Sequence, residues 1–97
     1  MGPAKGRSLT KKQVQSIARA LADPRRYEIL RRLGEMGERV SCTSVRACVE
    51  VSPATLSHHM KELETAGLVD AVREGKFVIY RLRRDVLGAY LDHMAGI

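Results

Sequence analysis

The feature that most constrains the fold is the stretch V-S-P-A-T-L-S-H-H-M-K-E-L-E-T-A-G-L-V, residues 51–69. Ser52 has the side chain of an N-cap. Pro53 after it suits the first helical position, where its fixed φ is already helical and its missing N–H leaves nothing unsatisfied. Leu56, Met60 and Leu63 follow at i, i+4 and i+7, and Gly67 stands where a helix end needs a residue able to take φ > 0. Residue type therefore sets both ends of one amphipathic helix. At about 100° per residue, Met60 and Leu63 fall within about 40° of Leu56, while Ala54, Ser57, His58 and Lys61 cluster on the opposite face. That face is small, hydroxylated and basic. It is suited to close approach and to hydrogen bonding with base edges and phosphates, as a helix lying in the DNA major groove requires.

The charge balance points the same way. Lys and Arg number 17 against 11 Asp and Glu, a formal net charge of +6 and a pI near 9.8, so the expected partner is a polyanion. Nucleic acid outranks a membrane, because no apolar run approaches the roughly 18 residues that a spanning helix needs. The 44% hydrophobic content excludes a disordered tail, and 97 residues allow one domain with one small core. Residues 1–6 are polar and rich in Pro and Gly rather than a secretory leader, so a cytoplasmic location is expected, with Cys42 and Cys48 reduced.

Along the chain, residues 1–8 read as a flexible basic arm and residues 9–97 as the folded domain. Thr10 caps a first helix to Leu21, with Val14, Ile17, Ala18 and Leu21 on one stripe. Asp23-Pro24 repeats the cap-then-proline pattern. It opens a second helix in which Tyr27, Leu30 and Leu33 bury and Arg25, Arg26, Arg31 and Arg32 stay out, until Gly34 and Gly37 end it. Arg39 and Val40 form a brief extended piece, and Ser41 caps a short third helix from Cys42 to Val49. Only Glu50, Val51 and Ser52 separate that helix from the one starting at Pro53, which is the spacing of a helix-turn-helix.

After Gly67 the period changes from 3.6 to 2. Residues 68–73 and 76–82 are rich in Val, Ile, Phe and Tyr, and Glu74-Gly75 between them suits a tight turn. Arg73 and Lys76 flank the tip, with Arg81, Arg83 and Arg84 further along. A basic hairpin placed directly after a helix-turn-helix is a wing, and its cations are expected to touch phosphate or the minor groove. A last helix, residues 84–94, carries Val86, Leu87, Tyr90, Leu91 and Met94. One small core cannot cover all the apolar faces of the first and last helices, so they are expected to meet in a homodimer. The expected fold is mainly α with a small β-hairpin, a winged helix-turn-helix.

Three segments carry a resemblance to a known family: L-A-D-P-R-R-Y-E-I-L-R-R-L (21–33), S-P-A-T-L-S-H-H-M-K-E-L-E-T-A-G-L-V (52–69) and R-E-G-K-F-V-I-Y-R-L (73–82). In that order they resemble the ArsR/SmtB-type bacterial winged-helix repressors. The resemblance implies a dimeric repressor that binds a pseudo-palindromic double-stranded DNA operator and leaves it when an inducer binds. It carries Thr55, Ser57, His58, His59 and Lys61 over to the recognition helix and Arg73 and Lys76 to the wing. The helical wheel agrees for Ser57, His58 and Lys61, but sets His59 at the margin of the apolar face.

The family's metal-sensing patterns do not carry over. Where the arsenic and cadmium sensors have Cys-x-Cys, this chain has Ser41 and Thr43, with Cys42 one residue out of register. Cys48 lies six residues on, about 120° round the helix and roughly 9 Å away, which suits neither a disulfide nor an easy shared site. The last helix offers Asp85, Asp92 and His93 but not the Asp-x-His with a second His that a zinc-type site needs. No metal and no cofactor is therefore expected, and the inducer stays open. Cys48 reads as a small buried hydrophobe. Cys42, in an exposed first turn where the helix dipole lowers a thiol pKa, reads as the better thiol sensor. Catalysis finds no support either: there is no phosphate-binding Gly loop, no H-E-x-x-H, and no third partner for the Ser and His residues. The competing reading is a winged helix that binds protein without sequence-specific DNA binding. It would tolerate an acidic or apolar recognition face, and the basic residues at helix and wing count against it.

Overall fold

The computed structural model describes residues 8–97, so the proposed arm lies almost wholly outside the described residues. Local side-chain caps start four of the five helices. In α1 (Lys11–Leu21), the Thr10 hydroxyl accepts from the Gln13 amide at 3.1 Å while the Gln13 side chain accepts from the Thr10 amide at 2.8 Å. This reciprocal pair satisfies two otherwise orphaned donors. In α2 (Pro24–Met36), the Asp23 carboxylate accepts from the amides of Arg25 and Arg26. Ser41 caps α3 (Cys42–Cys48) through the Ser44 amide, and Ser52 caps α4 (Pro53–Thr65) through the Thr55 amide. α5 (Arg84–Ala95) has no side-chain cap; Arg83, just before it, is tied to the sheet instead, its amide donating to the Leu68 carbonyl at 2.8 Å.

Three strands form one antiparallel sheet in the order β1-β3-β2: β1 (Val40–Ser41), β2 (Val69–Glu74) and β3 (Phe77–Leu82). The brief extended piece expected at residues 39–40 is thus a true edge strand, Val40 facing Tyr80 and Ser41 facing Ile79. The hairpin turn lies one residue later than expected. Glu74 pairs with Phe77, leaving Gly75 and Lys76 as the two loop residues, and only Gly75 has positive φ, 61°. A positive φ at the first loop position alone is the pattern of a type II′ hairpin, which places Gly there.

One core joins the helices to the sheet, with Ile17, Ile29, Leu33, Val45, Met60, Leu63 and Leu68 buried at its centre. Two expectations for α2 are corrected by this packing. Its inner stripe runs through Ile29, Leu30 and Leu33, which turns Tyr27 out to 55% exposure and brings the Arg26 side chain in to 12%. Gly34 does not end the helix: the chain continues to Met36 and breaks at Gly37, whose φ is 111°. A single helical Gly costs only about 1 kcal/mol, less than the packing of Leu30 and Leu33 around it supplies. On α1 the buried pair is Ile17 and Ala20, with Ala18 exposed. On α5, Val86 and Ala89 bury while Leu91 and Met94 stay 57% and 45% exposed.

Leu33 packs at the centre of this core with no exposed surface, so Leu33→Ala is expected to lower the unfolding free energy by about 2–5 kcal/mol. Urea unfolding followed by circular dichroism measures it. A decrease smaller than about 1 kcal/mol would mean that α2 is not seated as described.

Candidate nucleic-acid interface

The recognition helix is buried on one side and bare on the other. Leu56, Met60 and Leu63 are 4% exposed or less, whereas Ala54, Thr55, Ser57, His58 and Lys61 are exposed. Its start is held by Ser52, whose hydroxyl also donates to Thr55 Oγ1 at 2.9 Å, so Thr55 is engaged in the cap rather than free to rotate. Its end is closed by a Schellman motif. The Gly67 amide, at φ 83°, donates to the Glu64 carbonyl, and the Leu68 amide donates to the Leu63 carbonyl at 3.0 Å. The following residue, Val69, is already the first of β2. One backbone reversal thereby ends the helix and starts the wing.

His59 is corrected from the exposed face to the interior. It is 6% exposed, and its Nδ1 lies 3.4 Å from a guanidinium nitrogen of Arg26. An arginine can only donate, so this contact is a hydrogen bond when Nδ1 accepts, the role a neutral ring protonated on Nε2 provides. Burial, with the positive charges of Arg26 and Arg25 beside it, pushes its pKa below the ordinary value of 6.5, against a smaller opposite pull from Asp23. His58, with its ring centroid 5.8 Å from that of His59, remains on the outer face.

Most cations near the sheet are already paired. Arg39 binds Glu74 at 2.7 Å, Arg81 binds Asp70 at 2.7 Å, and Arg83 bridges Asp70 and Asp85. Two guanidinium groups hold the Asp70 carboxyl below its ordinary range, first through the Arg81 hydrogen bond. Arg84 donates to the Gly34 carbonyl. Arg73 and Lys76 are exposed and have no ion-pair partner among the described residues, and the same holds for Lys61 on α4 and Arg46 on α3. Arg73 pairs with Val78 and so shares the sheet face of Val69, Ala71, Tyr80 and Leu82, the face turned to the core and to α4. Arg46 was not legible as a site residue, because a lone arginine in a seven-residue helix carries no periodic signal.

The two cysteines exchange the environments expected of them. Cys42 is half-buried and packs against the core beside Val45, and Cys48 is exposed. The short helix buries the line of Cys42, Val45 and Val49, and Cys48 projects roughly 90° away from its centre. Among the described residues no three His, Cys, Asp or Glu side chains gather as a metal site, and no helix is long and apolar enough to cross a membrane. Thiol reactivity needs access as well as a lowered pKa. A thiol reagent added to the folded protein should therefore modify Cys48 before Cys42, checked by peptide mass mapping over time. Faster labelling of Cys42 would contradict this packing of α3.

Residues 21–72 match a family model described as a helix-turn-helix domain. The chain is 35% identical over 81 residues to the arsenical resistance operon repressor of Staphylococcus xylosus, covering 78% of this chain and 71% of that one. It is 36% identical over 69 residues to an uncharacterised HTH-type transcriptional regulator of Methanocaldococcus jannaschii, covering 71% and 76%. Among solved structures it superposes on the homodimeric winged helix-turn-helix DNA-binding domain of a possible ArsR-family transcriptional regulator from Mycobacterium bovis. The TM-score is 0.71 at 28% identity, over 88% of this chain and 78% of that one.

Proposed function

Since the chain belongs to the ArsR/SmtB-type winged-helix transcriptional regulators, we propose that it is a homodimeric repressor. In this reading it acts in the cytoplasm, without catalysis, and leaves its operator when an inducer binds. The observation that carries the DNA reading is the bare outer face of α4, with Ser57, His58 and Lys61 exposed above a fully buried inner face. Ala54 and Thr55 allow close approach near the start of that helix, and Ser57 and His58 supply donors and acceptors to base edges. Lys61, Arg73 and Lys76 are cations left without protein partners among the described residues, available to phosphates, and Arg46 joins them as a further phosphate contact. His59 supports this face from behind and does not reach the bases. The inducer is not assigned. Cys42 and Cys48 are tested as thiol sensors by measuring operator affinity of Cys42→Ser and Cys48→Ser under reduction, oxidation and added arsenite, cadmium or zinc.

The dimer is supported by the apolar side chains that the single core leaves out, Leu91 and Met94 on α5 and the half-covered Val14 on α1. Light scattering at micromolar concentration is expected to give twice the 10.8 kDa chain mass. Footprinting on a site selected from random duplexes should show two half-sites about 10 bp apart centre to centre, or a multiple. A monomer that binds a single half-site tightly would overturn the arrangement.

Helix and wing should fail differently. Lys76→Ala or Arg73→Ala is expected to weaken binding to all duplexes alike and to reduce the log–log salt slope by about one for each phosphate no longer neutralised. Ser57→Ala or His58→Ala should relax base preference at about 1–3 kcal/mol for each direct hydrogen-bonding pair removed. Titrations of selected and scrambled duplexes across salt concentrations separate the two. Altered sequence preference from the wing variants alone would reverse the roles, and affinity without salt dependence would favour a protein-binding module.

A further inference from the structure

One buried cluster plays no part in the outer face yet touches three helices at once. Arg26 lies at the start of α2 with its guanidinium turned inward. Nε donates to the Ala20 carbonyl at 2.7 Å, and a terminal nitrogen reaches the Arg19 carbonyl at 3.4 Å. Both acceptors are in the last turn of α1, where the helix dipole is negative; the Arg19 carbonyl also accepts from the Ala22 amide at 3.3 Å. The other terminal nitrogen lies 3.4 Å from His59 Nδ1 on α4 and 3.9 Å from Asp23, the N-cap of α2. One side chain thus closes the end of α1 and reaches the inner face of the recognition helix. Every buried side-chain polar atom among the described residues is satisfied, this cluster included.

We propose that Arg26 and His59 are positioning residues that set the seat of the recognition helix against α1, so that operator affinity depends on the pair although neither touches DNA. The geometry requires a neutral His59. A proton on Nδ1 would set donor against donor and put a second positive charge beside Arg26 in a place with little water. The titratable and charged groups around the imidazole are Asp23, the N-cap of α2, Arg25 and Arg26 from α2 and His58 from α4, while α1 presents backbone carbonyls. Burial disfavours protonation most, Asp23 favours it, and the neighbouring Arg26, His58 and Arg25 add to the effect of burial, so the balance lies with the neutral ring. Because His59 titrates below its unfolded value of 6.5, the seat is fully formed above about that pH and is lost as pH falls through the folded value. In a protein with exposed α1 and α5 surfaces left for a partner, the same contact ties the recognition helix to the dimer-forming side.

The inference rests on the DNA-binding reading, and the test keeps the two apart. All proteins carry His58→Gln, and the duplex is the one selected from random DNA with the His58→Gln protein itself, so that the exposed ring takes no part in the comparison. Affinity for the selected operator and for a scrambled duplex is measured from pH 7.5 down to the onset of acid unfolding, with His59 intact and with Arg26→Met, His59→Leu and His59→Asn. Arg26→Met and His59→Leu should lose roughly tenfold in operator affinity, the scale of one hydrogen bond to a charged group, with a smaller loss on scrambled DNA. The double variant should lose no more than either alone. His59→Asn, which keeps an acceptor where Nδ1 was, should restore most of the affinity and remove the acid-induced loss seen when His59 is present.

Independently of DNA, nitrogen-15 NMR of the imidazole should find Nδ1 unprotonated and Nε2 protonated at pH 7.5. The opposite tautomer overturns the Arg26–His59 hydrogen bond even if the operator binds. Unchanged operator affinity in folded Arg26→Met, or equal acid loss in His59→Asn, overturns the positioning role. Should Arg26→Met fail to fold, Arg26→Lys is measured in its place, since it keeps the charge but cannot reach α1 and α4 together. If the wild-type protein, with His58 in place, does not prefer a duplex selected with it over a scrambled one, the DNA-binding reading fails, and the positioning inference with it.

Discussion

The inner face of α4 is the packing surface on which the rest depends. Leu56, Met60 and Leu63 must be buried for the helix to exist at all, since an isolated helix of thirteen residues is marginal in water. Burying that stripe orients every other side chain of the helix. The outer face is whatever the core does not use, and its small polar and basic residues are presented because three apolar ones are hidden. The turn at Gly67 transmits the same orientation to the wing: the Leu68 to Leu63 bond leaves no free residue between helix and strand in which the angle between them could vary.

The charges divide by the same logic. A net charge of +6 describes the whole chain, but the arginines at the base of the sheet are committed to Asp70, Asp85 and Glu74. Exposed pairs of this kind contribute little to stability. Their consequence is to neutralise the sheet's far side and leave Lys61, Arg73, Lys76 and Arg46 unpaired among the described residues on the recognition side, with Lys11, Lys12 and Arg19 likewise unpaired on α1. A chain with the same composition and different pairing would present its charge elsewhere.

A domain this small is short of core. With only α1, α2 and α4 supplying most of the helical interior, α5 contributes Val86 and Ala89 and leaves Leu91 and Met94 in water. In the proposed dimer a second copy would cover these side chains of α5, and a two-fold pair would also double the bare helix faces on offer. Arg26 then acquires a meaning beyond its own helix, because its guanidinium lies between α1, on that side of the molecule, and α4.

Much of this was legible from residue types. Thr10, Asp23-Pro24, Ser41 and Ser52-Pro53 mark helix starts because capping is local chemistry, decided within three or four residues. The change of period after Gly67 marks the hairpin for the same reason. On the outer side of α4, Ala54, Ser57, His58 and Lys61 followed from angular spacing and Thr55 from the family resemblance, and the order of elements was enough to identify the fold. What the sequence left undecided were the choices between neighbours at the margin of a stripe. Tyr27 and Arg26 are adjacent, and only the approach of α1 and α4 determines that the arginine goes in, where two helix-end carbonyls and a histidine nitrogen satisfy it. Cys42 and Cys48 exchanged places because a seven-residue helix has too few turns for its buried side to be read from pattern. His59 moved from the candidate surface to the interior because a partner thirty-three residues earlier donates to it there. Local capping and periodicity are short-range and were written in the chain; which polar group finds a buried partner is a long-range question that only the packed structure answers.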